Sequence, residues 1–229
     1  MKEGSEEYIS IIGSAYFQPI ADLIDGLLKH PRSGPSAVKI GVYENGYSAA
    51  LVLLLAALLE SYMTRVRLIN PLMQEGRLKI PDAIRSLYPD FELYEQLLEV
   101  FVLRDLVFHN HLWEMQFSWD ENGSIVLDHA RKDDQSGDRK YKGVVDVGTH
   151  LTRKLALHII PTRVDRSDVV KVFDVIWHAL LFLEGKNRQQ CYVSHQHVMF
   201  RGKGRRFGEL LVILSGRWPG RSSRSGLIP

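Results

Sequence analysis

The segment from residue 103 to residue 114 places charged and titratable side chains in a mostly apolar run. Arg104, Asp105 and His109 stand in it with the spacing R-D-x-x-x-H. A guanidinium is costly to bury unless it is paired, so its position here calls for an explanation. Histidine titrates near neutral pH, and arginine offers a planar fork of donors that matches phosphate oxygens. Together these residue types indicate phosphate chemistry.

The elements that carry this segment restrict how its side chains can meet. Apolar residues at helical spacing predict one helix over residues 91–117. Side chains five residues apart on a regular helix point about 140° away from each other, so Arg104 shares a face with His111 but not with His109. We therefore expect one of two arrangements. Either the helix is distorted or ends near His109, or Arg104 and His109 line a cleft between two copies of the helix in a symmetric dimer.

A second predicted helix, from Glu44 to about Arg67, precedes this one and is apolar on most sides, as expected in the middle of a bundle. It carries the sequence LLESY at residues 58–62. Such a helix, followed by one bearing R-[polar]-x-x-x-H, resembles the HEPN superfamily (higher eukaryotes and prokaryotes nucleotide-binding). The resemblance covers about residues 8–184. It departs from the family at Thr64, where some members carry a basic residue.

The resemblance implies a reaction and a role for each polar residue. Many HEPN members are metal-independent ribonucleases, often toxins or host-defence effectors, whose R-x-x-x-x-H motifs pair across a homodimer. His109 would act as general base or acid around an RNA 2′-hydroxyl and the leaving 5′-oxygen. Arg104 would neutralise charge on the phosphorus, and Asp105 would orient Arg104 or side chains of the partner copy. His111 and Glu60 are secondary candidates. No metal or other cofactor is expected, because the 2′-hydroxyl is the internal nucleophile.

A structural role is the alternative for the same arginine. Arg104 would then pair with Glu60, Glu99 or Glu114 and hold neighbouring helices together. His111 would be a partly exposed histidine at the end of a helix. The chain would in that case be a non-catalytic HEPN-like module for interaction or nucleotide binding.

The C-terminal segment is basic. Residues 200–229 hold seven basic residues against the single acidic Glu209: Arg201, Lys203, Arg205, Arg206, Arg217, Arg221 and Arg224. Among these, Lys203, Arg205 and Arg206 form a compact patch that is expected to contact RNA phosphates without sequence preference. The patch lacks the strand, loop and helix context of a phosphate-binding loop, and a solvated turn is the alternative.

Cys191, His195 and His197 form a C-x-x-x-H-x-H pattern that resembles part of a zinc site. A closed zinc site needs four ligands, and the chain holds no second cysteine. On a strand the two histidines would share one face, which suits a solvated edge equally well. We therefore expect no metal at this position.

Composition favours a cytoplasmic protein that does not associate with a membrane. The chain has 229 residues, 45% hydrophobic and 24% charged, and its net charge of +2 does not by itself predict a nucleic-acid partner. The single cysteine excludes an internal disulfide and suits a reducing compartment. The first residues lack a secretory signal pattern. The longest apolar run, residues 49–59, is shorter than the roughly 20 residues of a membrane span and predicts a buried helix.

We expect a mainly α fold, namely a HEPN-like helical bundle with a β-hairpin insertion and a small C-terminal β element. The bundle would span residues 1–190 with a hairpin and loop inserted near 117–150, and residues 191–229 would form a basic extension with a disordered tail. Three further helices are predicted: one at 8–28, one from Pro81, and one at 168–184 with a cap at Ser167-Asp168 and a stop at Gly185. A hairpin at 117–127 is closed by Asn122-Gly123 and is followed by an exposed loop at 131–142. A second hairpin is predicted around 202–204, with a strand at 207–214 after it.

The resemblance to the HEPN superfamily, together with these patterns, implies a homodimeric, metal-independent endoribonuclease. RNA is the expected substrate, and a cognate antitoxin or neighbouring protein is a possible partner. The non-catalytic HEPN-like module is the first alternative. A DNA-binding regulator that uses the basic C-terminus has less support, because no helix-turn-helix pattern stands out.

Overall fold

The computed structural model describes residues 12–32, 43–70, 78–108, 113–121, 125–132 and 139–216. The helices in these ranges are α1 (Gly13–Lys29), α2 (Tyr43–Ile69), α3 (Ile80–Leu87), α4 (Tyr94–Phe108), α5 (Arg139–Val144), α6 (Arg166–Lys186) and α7 (Glu209–Ser215), with a 3-10 turn at Pro161–Arg163. The strands pair antiparallel in three hairpins: β1 (Trp113–Trp119) with β2 (Ile125–Lys132), β3 (Val145–Asp146) with β4 (Leu151–Thr152), and β5 (His197–Phe200) with β6 (Lys203–Arg206). The prediction of a mainly α fold with small β elements is confirmed.

The long helix α2 lies at the centre of the bundle. It packs against α1, α4 and α6, and its leucines are buried on several sides. In the described ranges, α2 is also the one helix whose length and composition would allow it to cross a membrane, although half of its most apolar window is buried by the other elements. A core helix passes the same test. Glu60 of α2 contacts the first of the two sites described below, and Glu44 of the same helix lies beside the second.

Helix α4 is shorter than predicted. It is described to Phe108, and the chain from Trp113 onward forms strand β1, so the expected helix to Phe117 is wrong. The aromatic residues at 113 and 117 are four apart, a spacing that fits a helix and also every second position of a strand. The hairpin itself is confirmed and is longer than expected. Its turn, Asn122-Gly123, lies outside the described residues.

The expected loop at 131–142 is partly wrong. Strand β2 extends to Lys132, and α5 begins at Arg139. Helix α6 is capped by Asp165 rather than by Ser167. The Asp165 carboxylate accepts hydrogen bonds from the backbone N–H groups of Ser167 and Asp168, while the Asp168 carboxylate accepts one from the Asp165 N–H. This reciprocal capping box begins the helix two residues earlier than predicted. The helix also continues past the predicted stop at Gly185.

The C-terminal elements complete the core of the bundle. Phe207 is buried and its ring lies 4.7 Å from that of Phe17, 5.1 Å from Phe173 and 5.7 Å from Trp177. Residues after position 190 therefore share one core with the helices before it. A Cβ atom at Gly208 would lie 2.8 Å from the Trp177 ring, so this close approach requires glycine.

The strand predicted at residues 207–214 is wrong, because α7 occupies Glu209–Ser215. Its buried residues Leu210 and Leu214 are four apart, which is helical spacing, and a short apolar run does not distinguish a strand from a helix. Gly216 ends α7 with φ of 75° in the left-handed region. The predicted tail from Arg217 lies outside the described residues.

Candidate functional site

Arg104 joins α4 to the central helix. Its Nη2 donates to Glu60 Oε1 of α2 at 2.7 Å, and its Nε lies 3.2 Å from Asp105 Oδ1. The guanidinium also lies 5.1 Å from the Phe101 ring centroid. The side chain of Arg104 is 25% exposed, so it is half-buried rather than sequestered. We call Arg104, Glu60 and Asp105 the ion-pair site.

The ion-pair site has little net positive charge. Two carboxylates contact one guanidinium, and a second arginine, Arg67, lies close enough for Glu60 to favour its charged form. Burial is the larger effect on Arg67 and lowers its pKa. The Nε of Arg104 is buried without a hydrogen bond to any described residue, since its contact with Asp105 is not aligned for one. One donor of the guanidinium thus remains unused.

Of the three acidic partners considered for Arg104, the structure selects Glu60. Glu99 is buried, and its carboxylate instead accepts hydrogen bonds from the backbone N–H groups of Lys154 at 2.7 Å and Leu155 at 2.8 Å. Glu99 therefore anchors the segment that follows β4. His109 and His111 lie outside the described residues, so their distances from Arg104 stay predictions.

A second buried carboxylate holds the same segment from the other side. Asp168, at the start of α6, is fully buried and accepts from the backbone N–H of His158 at 3.1 Å. Its other oxygen lies 3.0 Å from His158 Nδ1. His158, Asp165 and Asp168 also bring their ligand atoms within 4.8 Å of one another. The carboxylates of Asp165 and Asp168 already accept the hydrogen bonds that cap α6. The cluster is therefore accounted for by helix capping without a metal ion.

A separate cavity of about 670 Å³ lies between the end of α1, the start of α6, the β5–β6 hairpin and the end of α7. Its lining contains five basic residues and no acidic one: Arg32, Arg166, Arg201, Lys203 and Arg205. Its remaining wall is formed by Leu28, Phe200, Ile213, Leu214 and Gly216. We call this cavity the basic cleft.

The hairpin explains which of the predicted RNA-contacting residues enter the basic cleft. Side chains on a strand alternate between its faces, so Lys203 and Arg205 of β6 share one face and Arg206 has the other. Lys203 and Arg205 line the cleft, whereas Arg206 does not. Their role in RNA binding stays a prediction. The turn between the strands is Arg201-Gly202, with φ values of 51° and 73°, the left-handed pair of a two-residue hairpin.

Arg201 is held at the rim of the cleft by an ion pair. Its Nε lies 2.6 Å from Asp25 Oδ1 on α1, and Lys29 contacts the other oxygen of Asp25 at 2.8 Å. These hydrogen bonds, first that of Lys29 and then that of Arg201, lower the pKa of Asp25. Arg205 has a longer contact of 3.4 Å with Glu209.

Arg166 is the most buried cation of the cleft, at 8% exposure. Its Nη2 donates to the carbonyl oxygens of Leu27 and His30, both at 2.8 Å, at the end of α1. Its Nε is buried and has no hydrogen-bond partner among the described residues. Burial lowers the pKa of Arg166, the nearby Glu44 opposes this, and the positive charge of Arg32 adds to it.

Sequence reasoning found Lys203 and Arg205 but missed Arg32 and Arg166. These two arginines stand alone in the sequence, far from the basic C-terminal patch, and no local pattern links them to it. Arg201 was counted as basic but not as part of a site. The signal that was available is the position of Arg166 beside the Asp165 cap, since the first turn of a helix is a place where an arginine is not stabilised by the helix dipole.

The C-x-x-x-H-x-H pattern does not form a cluster of ligands. Cys191 is fully buried and donates to the Leu180 carbonyl oxygen at 3.4 Å, and burial raises the pKa of its thiol to about 12. His195 and His197 are exposed, and His195 stacks on Tyr192. The thiol lies in the core and the imidazoles lie at the surface, so these three side chains are not arranged around one point.

The ion-pair site and the basic cleft lie at different heights on the central helix. Glu44 of α2 is next to Arg166, and Glu60 of the same helix holds Arg104. At 1.5 Å of rise per residue, the two glutamates are about 24 Å apart along the helix axis.

No model of a known protein family, no curated protein and no solved structure matches this chain.

Proposed function

We propose that this protein is a metal-independent endoribonuclease of the HEPN type, active as a homodimer through Arg104 and His109. The observation that supports it is the state of Arg104. Its guanidinium is fixed from α2 by Glu60, while the side chain remains 25% exposed and thus partly open to a substrate. The side chain of an arginine fixed in this way is already ordered, so it loses little further conformational entropy when it binds a phosphate oxygen.

The proposed reaction needs only the RNA and these side chains. His109 removes the proton of a 2′-hydroxyl, and the 2′-oxygen forms a bond to the adjacent phosphorus. Arg104 stabilises the additional negative charge on the phosphoryl oxygens. The bond from phosphorus to the 5′-oxygen breaks, and a protonated histidine returns a proton to that oxygen. The products are a 2′,3′-cyclic phosphate and a 5′-hydroxyl end.

Cleavage of a labelled RNA in excess EDTA tests the proposal. Arg104→Ala and His109→Ala should each abolish cleavage, and the matched variant Arg188→Ala should retain it. Arg188 is a suitable control because it is exposed and contacts Glu184 only at 3.7 Å. Unchanged cleavage in both Arg104→Ala and His109→Ala would exclude the proposed site.

The dimer is tested separately by light scattering after gel filtration. A dimer at micromolar concentration agrees with a site that two copies share. Mixed dimers that carry Arg104→Ala in one copy and His109→Ala in the other should then recover part of the activity, because one of their two composite sites is intact. A strictly monomeric, fully active enzyme would contradict the shared site.

A non-catalytic HEPN-like module is the second candidate, because two carboxylates already contact Arg104. A charge exchange separates the two functions. The double variant Arg104→Glu, Glu60→Arg can re-form an ion pair between α2 and α4, so the stability lost in Arg104→Glu should be largely recovered. If Arg104 acts on phosphate, cleavage is not recovered with it. Wild-type protein that folds, lacks cleavage of any RNA and forms a stable complex with a co-expressed neighbour supports the second candidate.

A further inference from the structure

We propose that the basic cleft binds a terminal di- or triphosphate group, as carried by a nucleoside triphosphate or by the 5′ end of an RNA. The proposal does not depend on the ribonuclease reaction, because none of the ion-pair residues lines the cleft. It assigns a ligand to five cations that approach one space from three parts of the chain, namely the end of α1, the start of α6 and the β5–β6 hairpin: Arg32, Arg166, Arg201, Lys203 and Arg205.

The first argument is the state of Arg166. A guanidinium at 8% exposure is normally surrounded by acceptors, because a buried donor without a partner is costly. Arg166 has two carbonyl acceptors for Nη2, but its Nε has no partner among the described residues. Arg166 lines the cleft, so a phosphate group there would bring negative charge to this incompletely paired guanidinium.

The second argument is the excess of positive charge. Four carboxylates lie next to the five cations, since Asp25 pairs with Arg201, Glu209 contacts Arg205, and both Glu44 and Asp165 lie near Arg166, so one positive charge is in excess. Lys203 and Arg32 are both exposed and have no carboxylate partner in the part of the chain that the structure describes. Arg32 and Arg166 line the same cavity, so two like charges are held close together, and the charge of Arg32 lowers the pKa of Arg166. A multivalent anion relieves that repulsion.

The third argument is the shape of the site. A volume of about 670 Å³ falls in the range of small-molecule sites, roughly 300–1,000 Å³. A continuous RNA backbone carries one charge per nucleotide and is matched by an extended basic stripe. Cations that converge on one concave space instead match several charges on neighbouring phosphates. The apolar residues Leu28 and Phe200 offer a wall for the rest of the ligand.

Isothermal titration calorimetry with ATP, AMP and inorganic phosphate tests the inference. The full chain carries Arg104→Ala and the buffer contains EDTA, so that RNA cleavage cannot affect the binding measurement. ATP should bind at least about tenfold more tightly than AMP or inorganic phosphate, because each added phosphate makes further charge-assisted hydrogen bonds. No binding of ATP at millimolar concentration, together with no binding of the triphosphate RNA described below, would overturn the proposal.

Matched variants locate the binding. Lys203→Ala and Arg32→Ala should each weaken ATP binding about tenfold, since each removes a charged hydrogen-bond donor from the cleft. Arg206→Ala removes the same charge from the opposite face of β6 and should change the affinity less than about twofold. These exposed side chains can be removed without loss of the fold, whereas Arg166→Ala also removes the contacts with Leu27 and His30. Equal losses in Lys203→Ala and Arg206→Ala would contradict a defined cleft.

Two RNA probes distinguish the possible sources of the phosphates. A short RNA with a 5′-triphosphate is compared with the same RNA carrying a 5′-hydroxyl. Tight binding of the triphosphate RNA that depends on Lys203, with weak binding of ATP, identifies an RNA end as the ligand. Tight binding of ATP itself identifies a free nucleotide. Equal, Lys203-dependent binding of both RNAs would indicate contact with the RNA backbone and would overturn the proposal.

Discussion

The ion-pair site and the basic cleft both place arginine near the surface, but they balance its charge in opposite ways. Arg104 meets two carboxylates, Glu60 and Asp105, and its buried Nε makes no hydrogen bond to a described residue. The cleft holds five cations around a space whose lining contains no carboxylate. The first arrangement favours positioning of a single group. The second favours capture of a highly charged ligand.

This difference separates what a motif indicates from what a surface can bind. The polar spacing at residues 104–109 is visible in the sequence and suggests a reaction. The lining of the cleft holds five cations and is expected to attract phosphate more strongly, although no motif marks it. A ligand attracted by the cleft need not be the proposed substrate of Arg104.

The largest difference between the two sites is expected when Arg104→Ala and Lys203→Ala are compared for RNA cleavage and for ATP binding. Arg104→Ala should lower the rate of RNA cleavage about 1,000-fold, because an arginine on a transferring phosphoryl group contributes at least that much. Its affinity for ATP should stay within about twofold of wild type. Lys203→Ala should show the reverse pattern, with weak ATP binding and a nearly normal rate on a short RNA. Parallel losses of both properties in both variants would show that the two regions form one site.

Asp168→Ala should affect the cleft through the fold. It leaves the N–H groups of Asp165 and His158 without their buried acceptor, and the free energy of unfolding should fall by about 3 kcal/mol. Because α6 begins there, Arg166 should lose its fixed position, and ATP binding should weaken even where the protein remains folded. Asp174→Ala, an exposed site on the same helix, serves as control. Urea unfolding and calorimetry of both variants provide the measurements, and equal stabilities would refute the anchoring role.

Glu60→Gln and Glu99→Gln compare a half-exposed with a buried carboxylate. Removing the charge of Glu60 should cost less than about 1 kcal/mol, since its pair with Arg104 is partly solvated, and the loss should shrink at high salt. Glu99→Gln should cost about 2 kcal/mol at any salt concentration, because a buried group that accepts two backbone N–H bonds loses one acceptor. Urea unfolding at two salt concentrations measures both. A larger loss in Glu60→Gln would reverse this assignment.

The smallest effect concerns Asp25, the carboxylate that partly neutralises the cleft. Asp25→Asn frees Arg201 and should tighten ATP binding by a few fold while it lowers stability at pH 7 by less than about 1 kcal/mol. Since the pKa of Asp25 is lowered in the folded state, its contribution is present above its ordinary value of 3.8 and is lost as the pH falls below that value. The stability difference between wild type and variant should therefore vanish in acid. A difference that grows below that pH would contradict the ion pair.

Local patterns predicted the bundle well and failed where two periodicities coincide. The leucine-rich α2 follows directly from residue types, whereas the turn of the β5–β6 hairpin lies at Arg201-Gly202 rather than around residues 202–204. The spacing of the residues at 113 and 117 suits a helix and a strand equally. Pairing with β2 decides for the strand, and a local periodicity of residues 113–117 contains no information about that pairing. The α7 error has the same origin, because burial against Phe17 and Trp177 rather than local sequence decides that segment.

The candidate sites divide in the same way. The pairing of Arg104 with Glu60 was one of three alternatives that charge and spacing allowed, and packing of α4 on α2 selects it. The cleft could not be predicted, because Arg32 and Arg166 meet Lys203 only after three distant parts of the chain have folded together. A sequence shows which charges exist, and the fold determines which of them remain without counter-charge.

The β3–β4 hairpin has a consequence for the way the protein opens. Two strands of two residues each cannot be stable alone, yet the segment that directly follows β4 is fastened by Glu99 from α4 and Asp168 from α6. The amide hydrogens of Lys154, Leu155 and His158 should therefore exchange with solvent only when the bundle itself unfolds, as slowly as those of the central helix. The segment beside this small hairpin would then report on global stability rather than on local fraying.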